Sequence, residues 1–362
     1  MVRYNWQQKD WPNFTYSLQH IEDELFMFAE KTGKVTGIVN ALPEDIQIEA
    51  VIDIMVSEAI KTSEIEGEYL SRKDVLSSIR KKMGMVTSPE YILDKKAVGI
   101  GELMIDVRNT YNEELTEDKL FAWHKMLLKG SEGIEIGQWR THEEPMQVVS
   151  GAMGKQRVYY EAPPSSHVPE EMERFITWFN ETGPGGKNEI KKPPVRSAIA
   201  HLYFETIHPF EDGNGRIGRA IAEKALFQGI GRPALLSLSK AIETSYYDAL
   251  QEAQRSNEIT EWINYFVRTI LIAQTEAEEL IEFSLQKTKF FDRFKDNLND
   301  RQMKVIRRML EEDGGMNASK YASITKASKA TATRDLQELL QMQAISLLGD
   351  GGGRSTKYRV NL

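Results

Sequence analysis

The 362-residue chain contains no cysteine. Disulfides, thiolate catalysis and cysteine-ligated zinc are therefore excluded, and a reducing compartment suits it. Its six histidines show no HExxH or comparable spacing, so a zinc enzyme finds no support. No run approaches the ~18 apolar residues of a membrane span, and no early apolar run resembles a signal peptide. A soluble cytoplasmic protein with no membrane partner is the expectation. Positive charge is not in excess either. The net charge of −8 argues against a molecule that coats DNA along its whole length. The imbalance is uneven, however: residues 300–362 carry eleven Lys/Arg against seven Asp/Glu, so the last module is basic and the rest strongly acidic.

What is present is concentrated in twelve residues, His208-Pro-Phe-Glu-Asp-Gly-Asn-Gly-Arg-Ile-Gly-Arg219. Upstream, 195–207 reads as a helix from its apolar spacing, and Pro209 cannot continue it. Downstream, 216–229 reads as a second helix. Residues 211–215 then form a tight loop at a helix N-terminus, where Gly213 and Gly215 suit positive φ and a row of backbone N–H groups. Such a nest at the positive end of a helix dipole binds phosphate. His208 can take a proton near neutral pH. Asp212 can hold Mg²⁺, with Mn²⁺ as an alternative, because Mg²⁺ favours one or two carboxylates plus substrate phosphates. Gly213, Asn214 and Gly215 would cradle the anion. Arg216 and Arg219 share a helical face, where they can fork onto phosphate oxygens.

The string His-x-Phe-x-Asp-Gly-Asn-Gly-Arg-x-x-Arg resembles the signature of the Fic family without a substitution. A Walker A loop would need Gly-Lys-Ser/Thr, and an EF-hand would need an acid or amide where Arg216 stands. The resemblance implies a mainly α, Fic-type helical core with a small β-hairpin flap. It implies transfer of AMP from ATP to a Ser, Thr or Tyr hydroxyl of a target protein. Within the motif Gly218 is counted with the phosphate-binding residues.

The remaining elements are read in chain order. Trp6, Trp11-Pro12, Phe14 and Tyr16 suggest a segment that covers a groove. Helices are expected over 18–39, 44–67, 71–82, 88–112 (with Ser88-Pro89-Glu90 as its cap), from Thr116, and over 169–180. His124 reads as a core or boundary histidine. Helix 44–67 ends at Thr62-Ser-Glu-Ile-Glu66-Gly67, with Gly67 as its C-cap. On the residues alone Glu66 reads as part of a solvated acidic run. The stretch is also similar to the inhibitory Ser/Thr-x-x-x-Glu-Gly/Asn motif of some Fic proteins. That resemblance implies that Thr62, Glu66 and Gly67 restrain the enzyme, Glu66 pairing with Arg219.

Two β-type segments around the Gly-rich stretch 150–154 form a hairpin, marginal unless it packs on something. Its edge can hold a target segment by strand pairing. The resemblance makes Arg157, Val158, Tyr159 and Tyr160 nucleotide-facing flap residues. The aromatic pair Tyr246 and Tyr247 reads as core or, by resemblance, as adenine contacts together with Gln254. A long helix spans 259–294.

Residues 299–362 read as helices over 300–310, 317–324 and from 328, followed by two strands, a pattern resembling a winged helix-turn-helix. Lys326, Lys329 and Arg334 on its third helix, with Arg354 and Lys357 on the wing, can meet DNA phosphates; a protein-interaction or dimer-supporting module is the alternative. The expected divisions are an N-terminal helical region 1–90, a catalytic core 91–297 and a winged-helix domain 298–362. Partners would be ATP, a hydroxyl-bearing protein (another, or a copy of the chain itself) and DNA; a homodimer is compatible. Removal of AMP by Glu66, or a DNA-binding regulator that senses nucleotide, are the alternative functions.

Overall fold

The computed structural model describes residues 3–85, 94–150, 157–242, 244–294, 296–311, 315–348 and 356–362. Contacts divide the chain into two compact units, 1–278 and 279–362.

In the first unit, α1 (Glu22–Asn40) and α2 (Glu44–Ile65) precede α3 (Arg72–Lys82), α4 (Lys95–Asn109) and α5 (Glu117–Leu127). A hairpin follows, β1 (Gln147–Ser150) and β2 (Arg157–Glu161), then α6 (Val168–Glu181). The centre is the pair α7 (Pro193–Ile207) and α8 (Asn214–Ile230), followed by α9 (Leu238–Ala241), α10 (Tyr246–Ala253) and α11 (Thr260–Phe294). Helix starts follow their caps. Ser71, Asp94 and Thr116 each accept a backbone N–H from the first turn of α3, α4 and α5. Helix α4 thus starts at Lys95, short of the expected residue 88, and the Ser88-Pro89-Glu90 cap lies outside the described residues. Helix α1 starts at Glu22 rather than Leu18, because its acidic first turn, Glu22 to Glu24, favours the positive helix end.

Helix α7 is buried from Pro194 to Ile207. Ile199, Leu202 and Phe204 pack with Ile217, Ile221 and Leu226 of α8 and with Ile52, Val56 and Ala59 of α2 in one core. Each fully buried aliphatic or Phe side chain contributes ~1.5–3 kcal/mol. The shared core is why the N-terminal helices form one body with 91–278 instead of the separate region expected at 1–90. Polar residues inside α7 are tied down individually. Arg196 donates to Phe179 O (2.7 Å), Ala225 O (3.1 Å) and Thr182 Oγ1 (3.2 Å).

The hairpin strands are antiparallel, with a register shift between Val148 and Val149. The N-terminal segment lies under them. Tyr4 meets Tyr160 edge-on, Trp6 Nε1 donates to Glu161 O (2.9 Å), and Asn5 N donates to Gln254 O (2.8 Å). Trp11 packs edge-on against Tyr203. This packing supports a hairpin that would be marginal alone.

The second unit contains the C-terminal end of α11, then α12 (Asp300–Glu311), α13 (Ala318–Thr325), α14 (Lys329–Gln341) and the antiparallel pair β3 (Ile345–Leu348) and β4 (Lys357–Val360). It begins at 279 instead of 298, because Phe290 and Phe294 are buried with Val305, Ile306, Tyr321 and Leu336. Lys326 caps α13 in a left-handed conformation and so precedes α14, on which it was expected. Lys329, Arg334 and Lys357 are exposed; Arg354 lies outside the described residues. No helix among the described residues is long and apolar enough to cross a membrane.

Candidate active site

The site is built where α7 stops. His208 takes a left-handed conformation (φ 50°, ψ 60°) that ends the helix one residue before Pro209. A non-glycine residue there needs external support. Arg140, itself buried, supplies it: Nε donates to His208 O (2.8 Å), Nη2 to Pro163 O (2.5 Å) and Ile207 O (3.3 Å), and Nη1 to Ser165 Oγ (2.8 Å). Sequence reasoning missed Arg140, because nothing local marks an arginine that caps a helix 67 residues away.

The loop is closed from inside. Asn214 Oδ1 accepts from Phe210 N (2.9 Å) and Nδ2 donates to Phe210 O (2.8 Å). The Asn214 side chain is therefore a staple of the loop, and its backbone N–H is left for an anion. Phe210 is buried and stacks on His124 with ring centroids 4.0 Å apart. His124 is more than core. Its Nδ1 accepts from Gly137 N (2.8 Å), so Nε2 carries the proton and donates to Asp212 O (3.1 Å). Burial pushes its pKa down to about 4, so it stays neutral in this role.

Helix α8 begins at Asn214, two residues before the expected start. Gly213 holds the positive φ (83°) at the N-cap, and no side chain caps the first turn. Gly213 N donates instead to Asp212 Oδ1 (2.6 Å). Gly215 lies inside the helix, so positive φ is not its role. A Cβ there would stand 2.1 Å from Glu66 Oε1. Glycine at 215 lets a carboxylate approach the helix start. Gly218 does the same for Glu205, whose Oε1 would be 2.2 Å from an added Cβ. Gly218 thus accommodates a carboxylate of α7 and is not among the residues lining the cavity.

Glu66 follows the last turn of α2, with Gly67 at φ 78° turning the chain. Its Oε1 accepts from Arg219 Nη2 (2.7 Å). Thr62 holds the same guanidinium through Oγ1 (2.7 Å to Nε) and its carbonyl (3.0 Å to Nη2). Burial alone would lower the pKa of Arg219; Glu66, Tyr246 and Glu205 together outweigh burial and raise it. Arg216 is buried too, paired with Glu68 and 3.4 Å from Asp212 Oδ1.

Next to them lies a cavity of about 660 Å³; Arg216 and Arg219, both buried, are not among its lining residues. Glu66, His208, Asp212 and residues 213–215 form one side, Tyr246, Tyr247 and Gln254 another, and Tyr159 and Tyr160 of the flap a third. Tyr246 is buried, its hydroxyl 2.7 Å from His201 Nε2, whereas Tyr247 is 45% exposed and donates to Ile65 O (3.3 Å). Gln254 is buried and donates to Glu205 O (3.3 Å). Tyr160 anchors the flap by donating to Thr206 O (2.7 Å). Val158 does not line the cavity, and the Arg157 side chain lies outside the described residues. Gln147, Val148, Thr244, Asp248 and Gln251 also line it, unseen in the sequence. Gln251 Nε2 donates to Tyr159 O (2.9 Å), tying α10 to the flap.

For a divalent cation the donor set is sparse. Asp212 offers a half-exposed carboxylate at the cavity wall beside Glu211. Among the described residues no cluster of three or more His, Asp or Glu side chains forms a protein-only site. That donor set fits Mg²⁺ completed by substrate phosphates.

A helical core that presents this loop at a helix start, under a hairpin, defines a class: the chain contains a Fic domain. Residues 114–226 match the Fic/DOC family, and residues 4–85 match a domain of unknown function, DUF4172. The chain is 26% identical over 257 residues to a protein adenylyltransferase Fic of Culex quinquefasciatus, covering 70% of this chain and 46% of that protein. It is 25% identical over 207 residues to a protein of the same name from Nematostella vectensis, covering 56% and 44%. It is 29% identical over 144 residues to a probable protein adenylyltransferase of Aquifex aeolicus, covering 39% and 38%. The chain thus spans less than half the length of each of these curated relatives. A Fic family protein of Desulfovibrio desulfuricans G20 shares the fold at a TM-score of 0.57 and 21% identity, over 97% of this chain and 98% of that one. A Fic domain containing signaling protein of Bacteroides thetaiotaomicron does so at 0.55 and 17%, over 72% and 97%.

Proposed function

We propose that the chain transfers AMP from ATP to a Ser, Thr or Tyr hydroxyl of a protein and that Glu66 restrains it. One observation carries this reading: the Glu66 carboxylate lies over Gly215 at the first turn of α8, paired with Arg219, in the cavity that also holds His208 and Asp212. An anion of the chain itself thus stands beside an anion-binding helix start. The adenylyltransferase relatives support the chemistry.

In this mechanism His208 takes the hydroxyl proton, and the freed oxygen attacks the α-phosphorus in line. The bond to the β-phosphate oxygen breaks, and pyrophosphate leaves. The backbone N–H groups of the first turn of α8, with Arg216 and Arg219, hold the phosphate charge. Asp212 would hold Mg²⁺, which neutralises phosphate charge when bound. Catalysis is then positioning and charge stabilisation. The flap holds the target segment by strand pairing. While Glu66 sits on Arg219, the guanidinium is engaged, and ATP that binds is misplaced for attack.

The test is intact mass after incubation with ATP and Mg²⁺. Glu66→Gly should gain one AMP (~329 Da), the native chain far less, and Glu66→Gly with His208→Ala none. A target protein tests the same step in trans. No transfer in Glu66→Gly with either acceptor would refute the reading. Removal of AMP is a second reading: Glu66 keeps 29% of its side chain open, so it can orient a water. Loss of AMP from a modified target with the native chain, but not with Glu66→Gln, would favour it.

For the second unit we infer a winged-helix module that presents Lys329, Arg334 and Lys357 to duplex DNA. Affinity falling steeply with salt supports this; none at low salt refutes it.

A further inference from the structure

Three buried polar atoms beside His208 have no hydrogen-bond partner among the described residues: His208 Nδ1, Glu205 Oε1 and His201 Nδ1. His201 and Glu205 are one turn apart on one face of α7, and His208 caps its C-terminal end. Buried polar atoms in native proteins are nearly always paired, so each orphan needs a reason. Glu205 is the central one. Its carboxylate is 4% exposed in the body of a buried helix, and its Oε2 stands 3.7 Å from His208 Nδ1. That is ion-pair range, about 0.9 Å longer than a charge-assisted hydrogen bond. Two further features maintain the arrangement. Gly218 leaves the room that Glu205 Oε1 occupies. Arg140 fixes the His208 backbone in its left-handed turn. Burial would raise the Glu205 carboxyl, but the imidazoles of His208 and His201 and the Arg219 cation outweigh it and hold its pKa low. The carboxylate is therefore the charged partner that an imidazolium would need.

We propose that Glu205 is a positioning residue for His208: its carboxylate accepts a hydrogen bond from Nδ1–H, which fixes the tautomer whose Nε2 is bare toward the cavity. When His208 accepts a proton at Nε2, the Nδ1–H···carboxylate pair stabilises the imidazolium formed. His201 cannot replace it, because its Nε2 is already engaged by the Tyr246 hydroxyl. Other charges also act on His208. Carboxylates face the cavity from α2 (Glu66), the loop (Glu211, Asp212) and α10 (Asp248). Against them stand the Arg216 and Arg219 guanidinium groups of α8, each paired with a carboxylate, and the neutral phenols Tyr159, Tyr160, Tyr246 and Tyr247. Among the carboxylates of the described residues only Glu205 stands within ion-pair range of the His208 ring. The role in catalysis rests on the AMP-transfer reading; the tautomer does not.

Long-range ¹⁵N imidazole spectra of the full chain test both levels. In the native chain, above its titration, His208 should carry its proton on Nδ1. Glu205→Gln keeps an acceptor and loses the charge, so the tautomer should persist. In the Glu66→Gly background, Glu205→Gln should lower kcat for AMP transfer ~10–100-fold with KM for ATP unchanged. The acidic limb of its pH–rate profile should move to lower pH. The proposal is overturned if native His208 is the Nε2–H tautomer. It is equally overturned if Glu205→Gln moves neither kcat nor limb while melting temperature and ATP binding are kept. If Glu66→Gly itself transfers no AMP, the functional reading fails and the spectra alone decide the positioning role. Glu205→Asp, if Glu205→Gln does not fold, should retain the Nδ1–H tautomer.

Discussion

Replacing Gly215 by Ala separates packing from pairing in a single helix turn. Alanine within a helix is ordinarily favoured over glycine by about 0.5–1 kcal/mol. Here the added Cβ would lie 2.1 Å from Glu66 Oε1 and 3.0 Å from its Cδ. The clashing atoms are the end of a flexible side chain, so the relief is for Glu66 to swing away, and the Arg219 pair breaks with it. A hydrogen bond to a charged group contributes ~1.5–3 kcal/mol net. Gly215→Ala should therefore destabilise the native chain by about 1–2 kcal/mol. In the Glu66→Gly background only the end of the flexible Arg219 side chain remains close (Nη1 at 3.2 Å), and the same substitution should stabilise by up to about 0.5–1 kcal/mol. Denaturant unfolding of the four proteins reads the sign change as a coupling energy. An equal effect of Gly215→Ala in both backgrounds would refute the idea that Glu66 rests on the start of α8. The result does not depend on nucleotide.

Other expectations follow from the same geometry. If the Arg219 pair holds the restrained state by that ~1.5–3 kcal/mol, Glu66→Gly should raise the rate of AMP transfer about 10- to 100-fold, read by intact mass over time. His124 is held neutral, its pKa pushed down to about 4 from 6.5. Below pH 6.5 the unfolded chain binds a proton that the folded chain refuses. Stability should fall from pH 6.5 toward about 4, by on the order of 3 kcal/mol in all. Melting curves across that range should flatten in His124→Gln. Asn214→Ala removes both bonds to the Phe210 backbone and should cost about 2–3 kcal/mol in unfolding experiments. It should also weaken ATP binding, because the helix start loses its fixed orientation.

Much of the architecture was legible as short-range pattern. Helix period, the helix starts near Ser71 and Thr116, the break before Pro209 and the two hairpins each depend on residues within a few positions. The charge offset of residues 300–362 marked a distinct module, but its edge was misplaced by 19 residues. A helix that continues through a boundary shows no local break, and only the burial of Phe290 and Phe294 reveals which core they join. The same limit applied to the glycines. A positive φ at Gly213 could be read from the turn, whereas Gly215 and Gly218 are glycine because distant carboxylates approach them.

The sequence by itself determined the inventory: a proton acceptor, a carboxylate, a glycine-rich turn and two guanidinium groups within twelve residues, with a helix on either side. Tertiary structure decided what each group faces. Glu66 and Arg219 are 153 residues apart and meet because α2 packs on α8. Arg140 reaches the end of α7, and His124 carries the floor of the loop, through contacts no spacing announces. Local order arises from backbone sterics and neighbours along the chain, which a sequence displays. Pairing across the core arises from which apolar faces bury one another, and that is settled only when the chain is folded.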